Sequence, residues 1–253
     1  MNKNVILVKY HEDFADNMSC YALAKIIENQ TGEKICYENK PTLRNNFEKY
    51  MSSFDMKYNF ISSTRIKEIV KKAYEFNSCN KKNLKNKSKL IKNKSFKLEN
   101  IQYLNSEIIN NFQFKSSDFI VNHDILEEIN TQNSIGLFID ENDIKENLIN
   151  YNFILEAAKR LNKYVKRPKL YIFTKKNLNG LKDILIDYKI ITIDDWREEF
   201  YFLKSCKHKI ILNSKYSYSK NFWASILNQK NYYYTIYDKK LKTKKLPNNW
   251  IGI

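Results

Sequence analysis

Residues 206–228 read CKHKIILNSKYSYSKNFWASILN and combine three elements in a row. An apolar run at residues 210–212 predicts a buried strand, and a loop rich in Ser, Asn and Lys follows it. The sequence FWASIL after Asn221 predicts a helix with Asn221 as its cap. A strand, a loop and a helix in this order are typical of α/β domains.

The loop at residues 213–219 has the composition of an anion site. Its hydroxyl and amide side chains precede a helix N-terminus, where unpaired backbone N–H groups and the helix dipole favour negative charge. Lys215 and Lys220 add positive charge beside it. The alternative interpretation is an ordinary strand–helix connection, since α/β domains contain many of them.

Outward from this stretch, the chain repeats the alternation of strands and helices. At the N-terminus, VILV at residues 5–8, a helical pattern at residues 18–31 ended by Gly32, and KICY at residues 34–37 predict a β-α-β unit. A second series begins at Ser134. It predicts strands at residues 135–139, 170–173 and 189–193, and helices at residues 145–164, 177–186 and 198–205.

The sequence therefore predicts an α/β protein of two Rossmann-like halves, each with a parallel sheet flanked by helices. We place the boundary so that residues 1–133 form the first half and residues 134–253 the second. Residues 80–97 in the first half are rich in Lys and Asn, which predicts a solvated insertion. The alternative is a polybasic contact with anionic lipid or glycan.

The composition narrows the class of protein. The formal net charge of the 253 residues is +16, and a basic surface favours nucleic acid, anionic lipid headgroups or phosphorylated small molecules. Lys greatly outnumbers Arg, and an AT-rich coding sequence would also produce such an excess of Lys. No apolar run approaches the roughly 20 residues of a membrane span, and the N-terminal apolar segment is too short for a signal peptide. We therefore expect a cytoplasmic protein whose four cysteines are reduced thiols.

The stretch CKHKIILNSKYS…FWASILN resembles the C-terminal signature of glycosyltransferase family 11, the bacterial α-1,2-fucosyltransferase-like enzymes. The family pattern is C-K-H-x-I-I-x-N-S-x-F-S-W-W-x-A-x-L. The residues that match it are Cys206, Lys207, His208, Ile210, Ile211, Asn213, Ser214 and Ser217. The N-terminal helix also resembles the helical part of the family's G-G-L-G-N-Q-M-F-Q-Y-A-L-A pattern, and LPNNW at residues 246–250 resembles its closing L-P-x-x-W.

Two family motifs are degenerate in this chain. Glu12, Asp13 and Ala15 replace the glycines of the N-terminal loop. Of the central H-x-R-R-G-D motif only the last residue, Asp143, remains, with Asp140 and Glu141 at preceding positions. The resemblance is therefore to a divergent member that lacks the arginines of the family.

The resemblance implies a GT-B-type glycosyltransferase with a nucleotide-sugar donor, which is GDP-linked in the family. It implies inverting, metal-independent transfer of fucose or another sugar to a hydroxyl of a bacterial surface glycan, in capsule, lipooligosaccharide or O-antigen synthesis. A lipid-linked acceptor would suit peripheral contact with the anionic inner membrane. No cofactor is expected, and the sequence contains no D-x-D motif or spaced His pair for a metal.

The candidate catalytic residues are side chains able to take a proton from the acceptor hydroxyl. They are Asp143, His11 and Glu12, with Asp13 as a further carboxylate. The candidate donor-binding residues would form a lysine-based cradle, because a preorganised cation stabilises a leaving diphosphate. They are Asn213, Ser214, Lys215, Ser217, Lys175 and Lys176, with Lys207 and Lys220 nearby. Alternatively, His11 is an ordinary loop histidine, and Lys175 and Lys176 are solvated surface lysines.

Two rival functions belong to other classes. The missing glycines and arginines favour a non-catalytic relative that kept the fold and lost the site. The net charge favours a basic protein that binds nucleic acid or a membrane surface, although the sequence contains no zinc finger, RNA-recognition signature or helix-turn-helix.

Overall fold

The computed structural model divides into two compact units, Met1–Ser116 and Ser117–Ile253. The residues it describes are 5–9, 11, 13–38, 54, 60–61, 74–75, 89–91, 98–113, 121–176, 178–181, 184–228, 230, 232–241 and 246–253. Glu12 and most of the Lys-rich stretch at residues 80–97 lie outside them. No helix in the described part of the chain has both the length and the apolar character needed to cross a membrane.

The first unit contains a parallel sheet in the order β3-β2-β1-β5-β4. Its strands are β1 (Val5–Val8), β2 (Lys34–Glu38), β3 (Phe60–Ile61), β4 (Tyr74–Glu75) and β5 (Lys89–Ile91). Helix α1 (Phe14–Thr31) connects β1 to β2, and a 3-10 helix (Leu98–Tyr103) and the short helix α2 (Ser106–Asn110) follow β5.

Helix α1 begins earlier than the apolar pattern predicted. The Asp13 carboxylate accepts hydrogen bonds from the N–H groups of Ala15 and Asp16, so Asp13 is the cap and the first turn starts at Phe14. The predicted end is confirmed. Gly32 has φ +70° and donates its N–H to the Glu28 carbonyl, a left-handed conformation that glycine adopts without steric cost.

The second unit contains a six-stranded sheet in the order β11-β10-β9-β6-β7-β8, with all described pairings parallel. Its strands are β6 (Asn133–Phe138), β7 (Pro168–Phe173), β8 (Asp187–Ile191), β9 (His208–Ile211), β10 (Thr235–Tyr237) and β11 (Trp250–Gly252). Its helices are α3 (His123–Thr131), α4 (Glu141–Lys145), α5 (Tyr151–Tyr164), α6 (Trp196–Ser205) and α7 (Tyr218–Leu227). The predicted α/β class, with parallel sheets flanked by helices, is confirmed.

The centre of the second sheet is closely packed around Gly136 on β6. A Cβ atom at this position would lie 3.0 Å from Cys206 Cβ and 3.1 Å from Leu203 Cδ1. Only glycine lets the end of α6 approach the strand this closely. Burial raises the pKa of the Cys206 thiol to about 12, so the thiol is a neutral, packed group.

Two helix predictions in the second unit are wrong in part. Residues 145–164 form one long helix only from Tyr151, because Asn147 has φ +54° and Asn150 caps a new start by accepting the Phe153 N–H. Residues 177–186 contain a 3-10 turn, Asn179–Leu181, in place of a full helix. Leu185 in this segment is exposed.

The boundary between the units falls earlier in the chain than the predicted one at residues 133 and 134. Helix α3 belongs to the second unit, where the Glu128 carboxylate accepts hydrogen bonds from Lys169 Nζ (2.7 Å) and Lys189 Nζ (2.6 Å). These two ammonium groups hold the pKa of Glu128 at about 2. The sequence of α3 is mostly polar, and its pattern does not predict that the helix binds to β7 and β8.

Candidate functional site

Most of the predicted site residues in the second unit follow the carboxyl ends of its central strands. The chain order reverses at β6, with β7 and β8 on one side and β9, β10 and β11 on the other. In parallel sheets of this order, ligands bind beyond the carboxyl ends of the strands near the reversal. Asp143 follows β6, Lys175 and Lys176 follow β7, and residues 213–217 follow β9, so all of them lie at this edge.

The loops after β6 and β9 are fastened to each other by a set of hydrogen bonds that we call the clasp. The clasp consists of Asp140, Asp143 and Glu146 after β6, and Lys215, Tyr216 and Ser217 after β9. The acidic residues recur at every third position, and their partners run in the opposite direction along the other loop. The clasp therefore joins the two loops on either side of the point where the strand order reverses.

Asp143 is the centre of the clasp. Its side chain is fully buried, and its carboxylate accepts hydrogen bonds from the backbone N–H groups of Tyr216 (3.2 Å) and Ser217 (2.8 Å) and from the Ser217 hydroxyl (2.5 Å). The Ser217 hydroxyl in turn accepts the Asp140 N–H at 2.8 Å. Asp143 thus supplies, directly before α7, the negative charge that the sequence analysis assigned to a ligand.

These contacts change the interpretation of the loop. Asp143 and Ser217 are bound to each other, which gives both residues a positioning role at the sheet edge. Lys215 lies on the surface beside Glu146, with 3.5 Å between its Nζ and Glu146 Oε2. The hydrogen bond with Tyr216, followed by the charge of Glu146, raises the pKa of Lys215. A general-base role for Asp143 and donor contacts of Lys215 and Ser217 stay predictions without support from these contacts.

Asn221 is inside helix α7 and is not its cap, contrary to the prediction, since the helix begins at Tyr218 after Ser217. Its side-chain oxygen accepts the Phe138 N–H at 2.7 Å, and its side-chain nitrogen donates to the Phe138 carbonyl at 2.8 Å and the Ser217 carbonyl at 3.0 Å. The side chain is completely buried. Asn221 therefore pairs with the last residue of β6 as a neighbouring strand would.

A cavity of about 140 Å³, which we call the lysine pocket, lies beyond the carboxyl ends of β6, β7 and β8. Phe138, Ile139, Ile193 and Trp196 provide its apolar walls. Its charged residues are Asp140, Glu141, Lys175, Asp194, Glu199 and Lys220. Of the two predicted lysines after β7, only Lys175 lines the pocket, and its Nζ lies 3.1 Å from Asp194 Oδ1.

A buried ion pair forms one wall of the lysine pocket. Lys220 Nζ lies 2.7 Å from Glu199 Oε1, and the two side chains are only 10% and 6% exposed. The same ammonium group lies 3.5 Å from the centre of the Phe138 ring, within the range of a cation–π interaction. Lys220 is thereby held against the end of β6, and its charge is balanced by Glu199.

A second cavity, also of about 140 Å³, lies beyond the ends of β9 and β10, and we call it the serine pocket. Its lining residues are Leu148, Asn150, Phe153, Leu212, Asn213, Ser214, Asp238 and Lys240. The Ser214 hydroxyl is buried in the structure without a hydrogen-bond partner. The structure thus separates the predicted donor residues: Lys175 lies in one pocket, and Asn213 and Ser214 in the other.

The first half of the family-like signature lies at the opposite, amino edge of the sheet, where β9 begins. Cys206 packs on Gly136, and the Lys207 N–H donates to the Ser134 hydroxyl at 3.1 Å. His208 Nδ1 accepts the Tyr234 N–H at 3.0 Å, and its ring stacks on the Tyr234 ring. These residues hold the sheet together at a distance from the pockets.

The packing of His208 predicts a pH dependence of stability. Burial, followed by the charges of Lys209 and Lys207, lowers its pKa from 6.5 to about 4. As the pH falls from 6.5 to 4, the unfolded chain binds a proton that the folded chain does not, so wild type should lose about 3 kcal/mol at this residue. Urea unfolding of wild type and of His208→Asn, whose side-chain oxygen can replace Nδ1, measures the difference.

Most of the loss should have occurred by pH 4 and it should be complete at about pH 3, while the stability of wild type relative to His208→Asn should be constant above pH 7. A parallel decline of both proteins across the acid range would contradict a neutral, buried His208.

In the first unit, the predicted residues His11 and Asp13 follow the carboxyl end of β1. The side chain of Asn17 accepts the His11 N–H (2.9 Å) and donates to the carbonyls of His11 (2.9 Å) and Asp13 (3.0 Å). Burial lowers the pKa of His11, and the nearby charges of Asp16 and Asp13 act in the opposite direction. A neutral imidazole with carboxylates beside it retains the chemistry of a general base.

Among the described residues, no group of three or more His, Cys, Asp or Glu side chains is arranged to hold a metal ion. The sequence analysis missed Glu199 and Asn221 as residues of the site. Glu199 had a signal, because it shares a face of α6 with the apolar Trp196, Phe202 and Leu203, at helical spacings of three and four. For Asn221 the sequence predicted only the role of a helix cap.

No protein-family model matches this sequence, and a comparison with curated proteins finds no significant match. Among solved structures, the chain is similar to the fucosyltransferase NodZ from Bradyrhizobium, with 12% identity, 89% of this chain and 94% of that chain covered, and a TM-score of 0.47. It is also similar to NodZ alpha-1,6-fucosyltransferase soaked with GDP-fucose, with 13% identity, 89% and 93% coverage and a TM-score of 0.45. Likeness at this level carries no conclusion about activity.

Proposed function

We propose that this chain is a glycosyltransferase that moves a sugar, fucose or another, from a nucleotide-diphosphate donor to a hydroxyl of a glycan. The reaction class comes from the resemblance of residues 206–228 to glycosyltransferase family 11. The observation that supports it in the structure is a pocket with two lysines at the carboxyl edge of a parallel sheet, beside the reversal of strand order. Donor nucleotides bind at this place in open α/β sheets.

In this proposal the donor occupies the lysine pocket. The apolar walls formed by Phe138, Ile193 and Trp196 suit the planar base, and Lys175 is the cation that can turn to the diphosphate. Lys175 is nearly half exposed, and its partner Asp194 is 99% exposed, so a phosphate can displace Asp194 at little cost. The transfer is inverting and independent of metal in the family that the sequence resembles, and we propose the same here.

Thermal-shift measurements with guanosine, uridine and cytidine diphosphates test the donor site. We expect one of them to raise the Tm of wild type, because a ligand that binds only the folded chain stabilises it. Lys175→Gln should abolish the shift. Lys176→Gln is the matched control and should preserve the shift, since Lys176 is the next residue and does not line the pocket.

Positive responses would then be followed by transfer assays with the corresponding nucleotide sugars. The donor-site proposal fails if Lys175→Gln and Lys176→Gln respond like wild type. The glycosyltransferase proposal fails if no nucleotide diphosphate or nucleotide sugar binds and none is hydrolysed.

A second candidate function, a non-catalytic relative, is favoured by the charge of the lysine pocket. Four carboxylates line it against two lysines, and Asp140 and Glu141 occupy motif positions where the family has other residues, including arginines. Like charges disfavour a diphosphate. The nucleotide panel separates the two functions, and Glu141→Arg is the informative variant: if it alone gains a diphosphate response, the wild-type pocket lacks only the cation.

A further inference from the structure

The serine pocket has a set of polar groups that its own neighbours do not satisfy. The buried Ser214 hydroxyl has no hydrogen-bond partner in the structure, which costs free energy unless a bound molecule supplies one. Asn150 uses its side-chain oxygen to cap α5, and because this residue is exposed, its N–H₂ group is accessible to a ligand. Asn213 is exposed at the rim. These groups point to a ligand that both donates and accepts hydrogen bonds.

The charge of the serine pocket is balanced. Asp238 and Lys240 are its charged residues, and the Asp238 carboxylate accepts the Lys240 N–H at 2.8 Å. A phosphate group mainly accepts hydrogen bonds, so the Asp238 carboxylate would repel it. Hydroxyl groups can donate to the carboxylate and accept from the amide and ammonium groups. The polar lining thus favours a neutral, hydroxylated ligand.

The remaining walls are apolar. Phe153 and Leu212 are almost completely buried, and Leu148 is 40% exposed at the opening. A sugar ring has polar hydroxyls around its edge and apolar C–H faces, and pockets with a few polar groups on an apolar wall bind such ligands. The volume of about 140 Å³ is sufficient for a single small ring.

The serine pocket is also separate from the lysine pocket. The two cavities share no lining residue. The clasp lies between them, because it joins the loop after β6 to the loop after β9. A ligand in the serine pocket therefore differs from the base and phosphates assigned to the other pocket.

From these observations we infer that the serine pocket binds a neutral pyranose unit of a glycan. The inference rests on the proposed function for the role of that glycan in the reaction, while its binding is measured without a nucleotide. Ser214 and Asn213, which the sequence analysis assigned to the donor diphosphate, become sugar-binding residues. Leu148 and Phe153 contact the face of the ring.

Saturation-transfer NMR with methyl β-D-galactopyranoside, methyl β-D-glucopyranoside and methyl α-L-fucopyranoside tests the inference on the full chain. At least one glycoside should receive saturation from wild type. Ser214→Ala should weaken its Kd about fivefold through the lost hydrogen bond, and Leu148→Trp should fill the opening and abolish the signal. Ser205→Ala is the control and should bind normally, because Ser205 lies at the end of α6 and, within the described part of the chain, its hydroxyl bonds only to the Tyr201 carbonyl.

Thermal unfolding of each variant confirms that it is folded. The Ser214 hydroxyl has no hydrogen bond within the protein to lose, and the Leu148 side chain cannot form one. Guanosine diphosphate should leave the glycoside signal unchanged. The inference is overturned if no glycoside receives saturation, if Ser214→Ala and Leu148→Trp both bind like wild type, or if the nucleotide displaces the sugar. Binding of inorganic phosphate at Ser214 in place of sugar would overturn it too. If the nucleotide panel fails but sugar binding is retained, the proposed function is contradicted and the sugar-binding inference stands.

Discussion

Replacing Lys220 by methionine should lower the free energy of unfolding by about 3 to 5 kcal/mol, because it leaves a buried carboxylate without its cation. The partner is Glu199, whose Oε1 lies 2.7 Å from Lys220 Nζ and whose side chain is 6% exposed. Methionine fills a similar volume, so the loss measures the unpaired charge more than a cavity. Urea unfolding at neutral pH gives the value.

The double variant Lys220→Met with Glu199→Gln should recover most of that loss, since a neutral amide is far less costly to bury than a carboxylate. Lys215→Met is the matched control: Lys215 belongs to an ion pair on the same edge of the sheet, but with side chains that are 62% and 46% exposed, and its removal should change stability little. If Lys220→Met were as stable as Lys215→Met, water would have to reach the Glu199 carboxylate once Lys220 is removed, and the pair would not be a buried one.

Replacing Asn221 by alanine should cost about 3 to 4 kcal/mol, the second large effect. The amide makes hydrogen bonds to the N–H and carbonyl of Phe138 and to the Ser217 carbonyl, and the two Phe138 groups would stay buried without partners. Chemical denaturation measures the loss. A cooperative transition with the wild-type m value shows that the fold is kept.

Ser225→Ala is the control for Asn221→Ala. Ser225 is buried in the same helix. Among the described residues, its hydroxyl donates only to the Asn221 carbonyl one turn away, a bond that contributes little to helix stability. A loss for Asn221→Ala no larger than that for Ser225→Ala would show that Phe138 finds other partners, such as water, and would remove Asn221 from its positioning role.

The order of the main strands and helices could be predicted from the sequence, because each central strand is an unbroken apolar run and each connection is rich in polar residues. The runs at residues 5–8 and 135–139 correspond to β1 and β6, and Gly32 ends α1 as predicted. The helix predicted at residues 177–186 is wrong. Its apolar residues are spaced as in a helix, but the Leu185 side chain is 74% exposed, so a helix there would gain no packing from it.

The site was harder to predict, because its character depends on which distant side chains meet. Asp143 and Ser217 are each compatible with binding a ligand when considered alone, and only the fold brings the carboxylate to the Ser217 hydroxyl. Lys220 was recognised as a positive charge, but its neutralisation by Glu199 requires α6 and α7 to pack side by side. The local sequence pattern could not show that the loop before α7 already binds a carboxylate, that of Asp143.

Because of the clasp, the loops after β6 and β9 at the carboxyl edge of the second sheet should move as one rigid unit. Separating the loops that follow β6 and β9 would require the hydrogen bonds of Asp143, Glu146 and Ser217 to break together. The free-energy cost of moving these loops apart is therefore high. If a ligand binds at this edge, we therefore expect the adjustment in exposed side chains such as Lys175 and Leu148, while the backbone beneath them stays fixed. Such rigidity would reduce the entropy lost on complex formation.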